Sequence, residues 1–251
     1  MSAGCALCEQ KSCSTHFGLP VDANGHSVVA LAGNPNTGKS SLFNALTGLR
    51  QHTGNWPGKT VLRAEGICSY RDRRFLFVDL PGTYSLRPHS PEEEVALDFL
   101  LVGQPKATVV VTDATCLERN LKFVLQVLEI TPRVVVAVNL IDAARARGIH
   151  VDTAGLSREL GVPAVATNAR RGEGLGQLLA ALDDVVAGRA AVAPRPIWYE
   201  PPIEAALQEL ESQLLLSVPN PQLRRWLALR LLEGESRLPW PGANSMAGER
   251  T

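Results

Sequence analysis

The most constraining stretch of this chain is Gly33-Asn34-Pro35-Asn36-Thr37-Gly38-Lys39-Ser40, which satisfies the pattern G-x-x-x-x-G-K-S/T at every fixed position. Its surroundings fit. Val28 to Leu31 is a short apolar run suited to a buried strand, and Leu42, Phe43 and Leu46 recur at helical spacing after Ser40. Glycines at 33 and 38 let the backbone bend, so that successive N–H groups point inward at an anion, and the following helix N-terminus adds partial positive charge. In such a loop Lys39 reaches the β- and γ-phosphates of a nucleotide and Ser40 offers a hydroxyl to Mg²⁺. Gly33 through Ser41 is therefore the expected phosphate-contacting stretch. A chance Gly-rich turn is the plain alternative, and the strand–loop–helix context argues against it.

The base is legible further on. The apolar run "VVVAVNLID" leads into Asn139-Leu140-Ile141-Asp142. A carboxylate at 142 accepts two hydrogen bonds from the N1–H and exocyclic amine of guanine, a donor pair that adenine lacks. Asn139 either braces the loop or touches the base edge, and Asp142 alone would serve equally as a helix cap. A second base-side element, Asn168-Ala169-Arg170, follows the apolar "VPAVAT" and precedes an amphipathic helix. The nucleotide expected is GTP, with GDP as product.

Between these elements lie groups suited to the γ-phosphate. "FLFVDLPG" reads as a strand ending in Asp79-Leu80-Pro81-Gly82. Asp79 can hold a Mg²⁺-bound water, and the Gly82 N–H can reach the γ-phosphate. Upstream, "QHTGNWPGKTV" reads as a polar loop with an exposed Trp56, and its Thr60 is the natural second hydroxyl for Mg²⁺. Such loops are ordered by γ-phosphate and Mg²⁺ and released after hydrolysis. Lys39, Thr60 and Gly82 are the groups expected to act on the transferred phosphoryl. A water-orienting Gln after the glycine is replaced by Thr83, then Tyr84, and no arginine is obviously placed as a finger, so slow turnover is expected.

A pass along the 251 residues gives buried-strand candidates at 28–33, 60–70, 74–80, 107–113, 133–139 and 163–167. Helical segments near 39–47, 91–102, 118–130, 153–160 and 174–187 fall between most of them, which is an α/β fold. "RDRR" is too short for a crossover helix, so the second and third strands should form an antiparallel hairpin in a mixed, mostly parallel six-stranded sheet. The Pro-rich "AAVAPRPIWYEPP" marks a boundary, and "IEAALQELESQLL" and "NPQLRRWLALRLLEGE" beyond it form a small all-helical unit. With 25 basic and 25 acidic residues the chain shows no electrostatic footprint for nucleic acid. No stretch approaches the roughly twenty apolar residues needed to span a bilayer.

The combination "GNPNTGKSSLFNALTG", "GNWPGKTV", "DLPGTYSL", "NLID" and "TNARRGEGL" resembles the cytosolic GTPase module of ferrous iron transporter B, the FeoB family, from residue 28 to about 235. The Gly-Asn-Trp-Pro-Gly loop and "DLPGTYSL" are the family-particular parts. The resemblance implies a Ras-like P-loop G domain over 27–190 and a helical domain over 197–236. Residues 1–26 are then a Cys-rich tail and 237–251 a flexible one. It also implies fusion to a membrane-spanning iron(II) permease at the cytoplasmic face of the inner membrane, and leaves room for a homo-oligomer. In the family, Asn at the position of Asn36 helps bind K⁺ beside the phosphates, with backbone carbonyls of Gly54 and Trp56. A cation there can stand in for a finger's charge. The alternative is that Asn36 merely shapes the loop.

The N-terminal "CALCEQKSCSTH" places Cys5, Cys8, Cys13 and His16 at ligand-like spacing for Zn²⁺ or iron, the bland alternative being an inert tail. Cys68 and Cys116 read as structural. Two other classes stay open: a soluble potassium-dependent GTPase acting on ribosome or tRNA, and a nucleotide-gated interaction module with negligible hydrolysis. The neutral charge argues against the first, and intact Lys39, Ser40, Thr60 and Asp79 against the second.

Overall fold

The fold was obtained as a computed structural model that describes residues 25–48, 51–56, 59–86, 90–215, 218 and 220–235. The proposed Cys5/Cys8/Cys13/His16 cluster and both terminal tails lie outside those residues, Gly25 and His26 excepted. Seven strands form one sheet: β1 (His26–Gly33), β2 (Gln51–Asn55), β3 (Leu62–Tyr70), β4 (Arg73–Asp79), β5 (Ala107–Asp113), β6 (Val134–Asn139) and β7 (Ala164–Ala166). Their order is β2-β3-β4-β1-β5-β6-β7. β1 pairs in parallel with β4 and β5, β5 with β6, and β6 with β7, whereas β2–β3 and β3–β4 are antiparallel. The "RDRR" hairpin is therefore as the sequence predicted.

The sheet has one strand more than the six expected. The additional strand is β2, where Gln51–Asn55 carries no apolar alternation and its sequence predicts a loop. It is an edge strand held by backbone pairing with β3, from Gln51 opposite Gly66 to Asn55 opposite Leu62. Its resolved side chains, His52, Thr53 and Asn55, are exposed, so periodicity had no signal to offer.

Successive residues of the central strands enter two different cores, as the period-two geometry of a strand requires. Val29, Leu31, Phe75, Phe77, Val109, Val111 and Val135 pack against α1 (Lys39–Thr47) and α6 (Leu175–Val186). Ala30, Leu76, Val78, Val110, Val134, Val136 and Val138 face the core that takes in α2 (Pro91–Leu101) and α3 (Leu117–Ile130). Strands covered on both faces read as continuous apolar runs, and these do. Two shorter helices, α4 (Ile141–Ala146) and α5 (Thr153–Leu160), lead to β7.

After α6, residues 191–200 run without regular secondary structure into the helical pair α7 (Pro201–Leu214) and α8 (Pro221–Leu232). Proline opens both helices, where its missing N–H costs nothing. α8 packs on α7 and on α3, with Trp226 and Leu227 buried between them. Arg225 knits the entry: it bonds Glu204 at 2.7 Å and the Ile197 carbonyl at 3.0 Å. The Tyr199 hydroxyl donates to Glu129 of α3 at 3.2 Å. Burial, reinforced by that carboxylate, pushes Tyr199 up to about 12. Among the described residues no helix is long and apolar enough to cross a membrane.

At the amino end of the sheet Asp183 of α6 is 5% exposed and accepts from Arg73 Nε at 2.8 Å and Arg189 Nη2 at 2.6 Å. Burial alone would raise its pKa, but the two arginines outweigh it and hold the carboxyl below its ordinary value. A depressed folded-state pKa means stability that is present above the unfolded value of about 4 and is lost as pH falls through the folded one. Asp183→Asn should therefore cost about 1 kcal/mol at pH 7, since the arginines left behind keep their access to solvent. The gap from wild type, read by urea unfolding, should close below about pH 4.

Candidate functional site

The carboxyl ends of β1, β4, β5 and β6 gather Gly33, Asp79, Asp113 and Asn139 at one edge of the sheet, with β1 central between two outward-running neighbours. In open α/β sheets such a reversal of strand order opens a crevice for ligands. The phosphate loop fills this position. A Cβ on Gly33 would lie 2.5 Å from the Val111 carbonyl oxygen, so only glycine passes beside β5. Gly38 caps α1 in the left-handed conformation (φ 80°), and a Cβ there would strike Asn139 Nδ2. Asn36 is exposed at φ 65°, and the Thr37 hydroxyl closes the turn on the Asn34 carbonyl at 2.9 Å. Asn34 is 4% exposed, and its Oδ1 is buried with no hydrogen-bond partner among the described residues.

Asn139 is the hub. Its Nδ2 donates to the Thr37 carbonyl at 3.0 Å, and its Oδ1 accepts from Ala169 N at 3.1 Å and Thr167 Oγ1 at 3.3 Å. One buried amide thus fastens the phosphate loop to the Asn168-Ala169 turn. Thr167 went unnoticed in the sequence because a threonine at a strand end carries no spacing signal. Leu140 follows at φ 59°, turning the chain into α4, whose first turn carries the half-buried Asp142. Asn168 is buried, with its Oδ1 accepting from Arg171 N at 3.3 Å and its Nδ2 without a partner among the described residues. Arg170 is exposed.

Lys39 Nζ lies 2.5 Å from Asp79 Oδ1 and 2.5 Å from the Leu80 carbonyl. Burial pushes the Asp79 carboxyl up, and the Lys39 ammonium pulls against that shift. Ser40 is exposed beside them and Ser41 half-buried. Past Asp79, Leu80 N donates to Leu31 O at 3.0 Å and Thr83 N to Gly33 O at 3.3 Å. A Cβ on Gly82 would touch Pro35 at 3.4 Å, so this exposed glycine lies directly against the phosphate loop. Thr83 itself is buried, its hydroxyl 2.6 Å from Ser85 O and 3.0 Å from Glu93 Oε1.

The segment around Trp56 departs from expectation. The indole is 2% exposed rather than solvent-facing, and meets Phe99 of α2 edge-on at 5.4 Å, with the Arg63 guanidinium 5.7 Å from its centre. Burying so large an apolar surface outweighs the polarity of its neighbours, which is all the sequence displayed. Lys59 Nζ adds contacts to Glu94 at 2.7 Å and Asp98 at 3.5 Å of the same helix. Gly54 sits on β2 opposite Arg63, and the Trp56 carbonyl accepts from Lys59 N at 3.0 Å. Thr60 is exposed. Cys116 is exposed and Cys68 half-buried, and among the described residues no three His, Cys, Asp or Glu side chains gather to hold a metal.

Asn139→Ala should strand the Thr37 carbonyl and the Ala169 N–H together. A loss of about 3 kcal/mol in denaturant unfolding is expected, since each buried orphan costs about 1–3 kcal/mol.

Comparison with known proteins gives matching results in sequence and structure. Residues 27–182 match the family described as ferrous iron transport protein B, and residues 199–239 the FeoB cytosolic helical domain. The Fe(2+) transporter FeoB of Escherichia coli is 39% identical over 211 residues, covering 82% of this chain and 27% of that protein. A Fe(2+) transport protein A/FeoB fusion protein of Porphyromonas gingivalis is 39% identical over 239 residues, covering 92% of this chain and 28% of its own length. The chain thus spans little more than a quarter of these relatives. Among solved structures, the cytosolic domain of the T. maritima FeoB iron transporter in a GDP form superimposes with a TM-score of 0.78 at 36% identity, covering 84% of this chain and 81% of that one. A GDP-bound S. thermophilus NFeoB variant gives 0.76 at 40%, covering 84% and 80%. The chain belongs to the FeoB family, and carries its N-terminal G domain and its cytosolic helical domain.

Proposed function

We propose that this chain binds GTP and GDP at the Asn139-braced site and hydrolyses GTP slowly, as the nucleotide switch of a membrane iron(II) transporter. The observation that carries the reading is the Asn139 amide, which makes the phosphate loop and the base-side turn one unit with Asp142 a turn away. GDP in the relatives' structures supports the choice of nucleotide. Residues 27–190 form the nucleotide domain and 197–236 the helical one. The partner is a permease domain in the same polypeptide, at the cytoplasmic face of the inner membrane.

In this reading the loop from Gly33 to Ser41 cradles the phosphates with its N–H groups, and Lys39 leaves Asp79 for the β- and γ-oxygens. Asp142, with Asn168, Ala169 and Arg170, holds guanine. Ser40, Thr60 and Asp79 are hydroxyl and carboxylate donors, a set that suits a hard divalent cation; they would hold Mg²⁺, which would supply positive charge against the phosphates. Asn36 would hold K⁺ with the carbonyls of Gly54 and Trp56. Thr83 is engaged with Ser85 and Glu93, so main-chain groups orient the attacking water.

Asp142→Asn exchanges one acceptor of the guanine pair for a donor. GTP affinity should fall by at least about tenfold while xanthine nucleotides gain, and an unchanged GTP-to-XTP preference in competition binding removes Asp142 as base reader. Turnover in matched KCl and NaCl tests the cation. Stimulation by potassium that vanishes in Asn36→Ala supports the K⁺ site, and equal turnover in both salts dismisses it.

A further inference from the structure

The segment after Gly82 is clamped twice by side chains of α3. Tyr84 is 48% exposed, yet its ring lies under the Arg119 guanidinium, 4.7 Å from the ring centre. Two residues on, Leu86 N donates to Gln126 Oε1 at 3.0 Å. Arg119 and Gln126 are two helical turns apart and so share one face of α3. Arg119 forms no ion pair among the described residues, and the Tyr84 face is the contact its guanidinium makes. A planar guanidinium stacks on an aromatic ring in a way an ammonium does not.

Upstream, Leu80 N and Thr83 N are tied to β1 through Leu31 O and Gly33 O. Gly82 therefore sits between the backbone ties of Leu80 and Thr83, directly against Pro35 of the phosphate loop, and the Arg119 stack holds the chain just beyond the second tie. Because Thr83 has no side chain free to orient water, whatever fixes this main chain fixes the geometry of attack. A small misplacement there costs rate rather than binding.

We propose that Arg119 is a positioning residue for GTP hydrolysis: stacked on Tyr84, it holds the Gly82–Leu86 main chain, and with it the Gly82 N–H, in place beside the phosphate loop. This rests on the reading of the site as a GTPase. Exposed cation–π contacts are worth about 0.5–1 kcal/mol, so kcat should change by about two- to fivefold.

The test is steady-state GTP turnover in KCl and MgCl₂ by wild type, Arg119→Ala, Tyr84→Ala, Tyr84→Phe and the Arg119→Ala/Tyr84→Ala double variant, with GDP affinity from a fluorescent GDP analogue. Arg119→Ala and Tyr84→Ala should each lower kcat by that factor with KM and GDP affinity held. The double variant should be no slower than either, and Tyr84→Phe, which keeps the ring face, should recover most of the rate. Unchanged kcat in Arg119→Ala, additive losses in the double variant, or a parallel loss of GDP affinity overturns the proposal alone. Wild type that binds GTP without turning it over overturns the GTPase reading and this proposal together.

Discussion

The structure depends on one buried carboxamide. Asn139, 1% exposed at the end of β6, ties a loop more than a hundred residues earlier in the chain to a turn thirty residues later. Burying an amide is unfavourable unless its donors and acceptor are met, so the three bonds fix its place and the places of the groups that meet it. The glycine at 38 belongs to the same constraint, since any side chain there would occupy the space of Asn139 Nδ2. Phosphate loop and base-side turn hence cannot drift apart without stranding polar groups away from water.

Charge is arranged around that frame in three clusters of different kind. Lys39 and Asp79 form a partly buried pair at the crevice, each a group that bound phosphates and metal would compete for. Lys59 is held by Glu94 and Asp98; burial opposes its charge, but the two carboxylates outweigh burial and raise its pKa. Together with Trp56 in its place against Phe99, this seats the segment before Thr60 on α2. Asp183 with Arg73 and Arg189 closes the opposite end of the sheet, where the arrangement is structural.

α3 joins the parts. One face of it carries Arg119 and Gln126 to the segment after Gly82, and its last turn carries Leu128 and Glu129 to α8 and Tyr199. A cavity of about 110 Å³ lies along this second contact, walled by Leu128, Leu207, Trp226 and Leu229. The helical pair is thus seated on the same helix that steadies the proposed γ-phosphate sensor.

Local rules carried much of this into the sequence. Apolar runs between glycines and prolines determined the parallel strands, because strands buried on both faces need no alternation to be visible. The phosphate loop was legible because its glycines, lysine and serine stand at fixed spacing within eight residues, although the close approaches that demand glycine at 33 and 38 come from Val111 and Asn139, far along the chain. "RDRR" forced a hairpin because nothing longer fits. What the sequence left undecided was long-range. β2 exists only because β3 offers it a backbone edge, and polar Gln51–Asn55 announces nothing of that. Trp56 looked exposed among polar neighbours until Phe99, forty-three residues away, supplied a surface for it. Asn139 had two roles open from spacing alone; which groups its amide meets depended on where β6 and β7 lie beside β1 and β5. Periodicity and motif spacing record what a residue does with its neighbours in the chain, and only the packed sheet decides what it does with the rest.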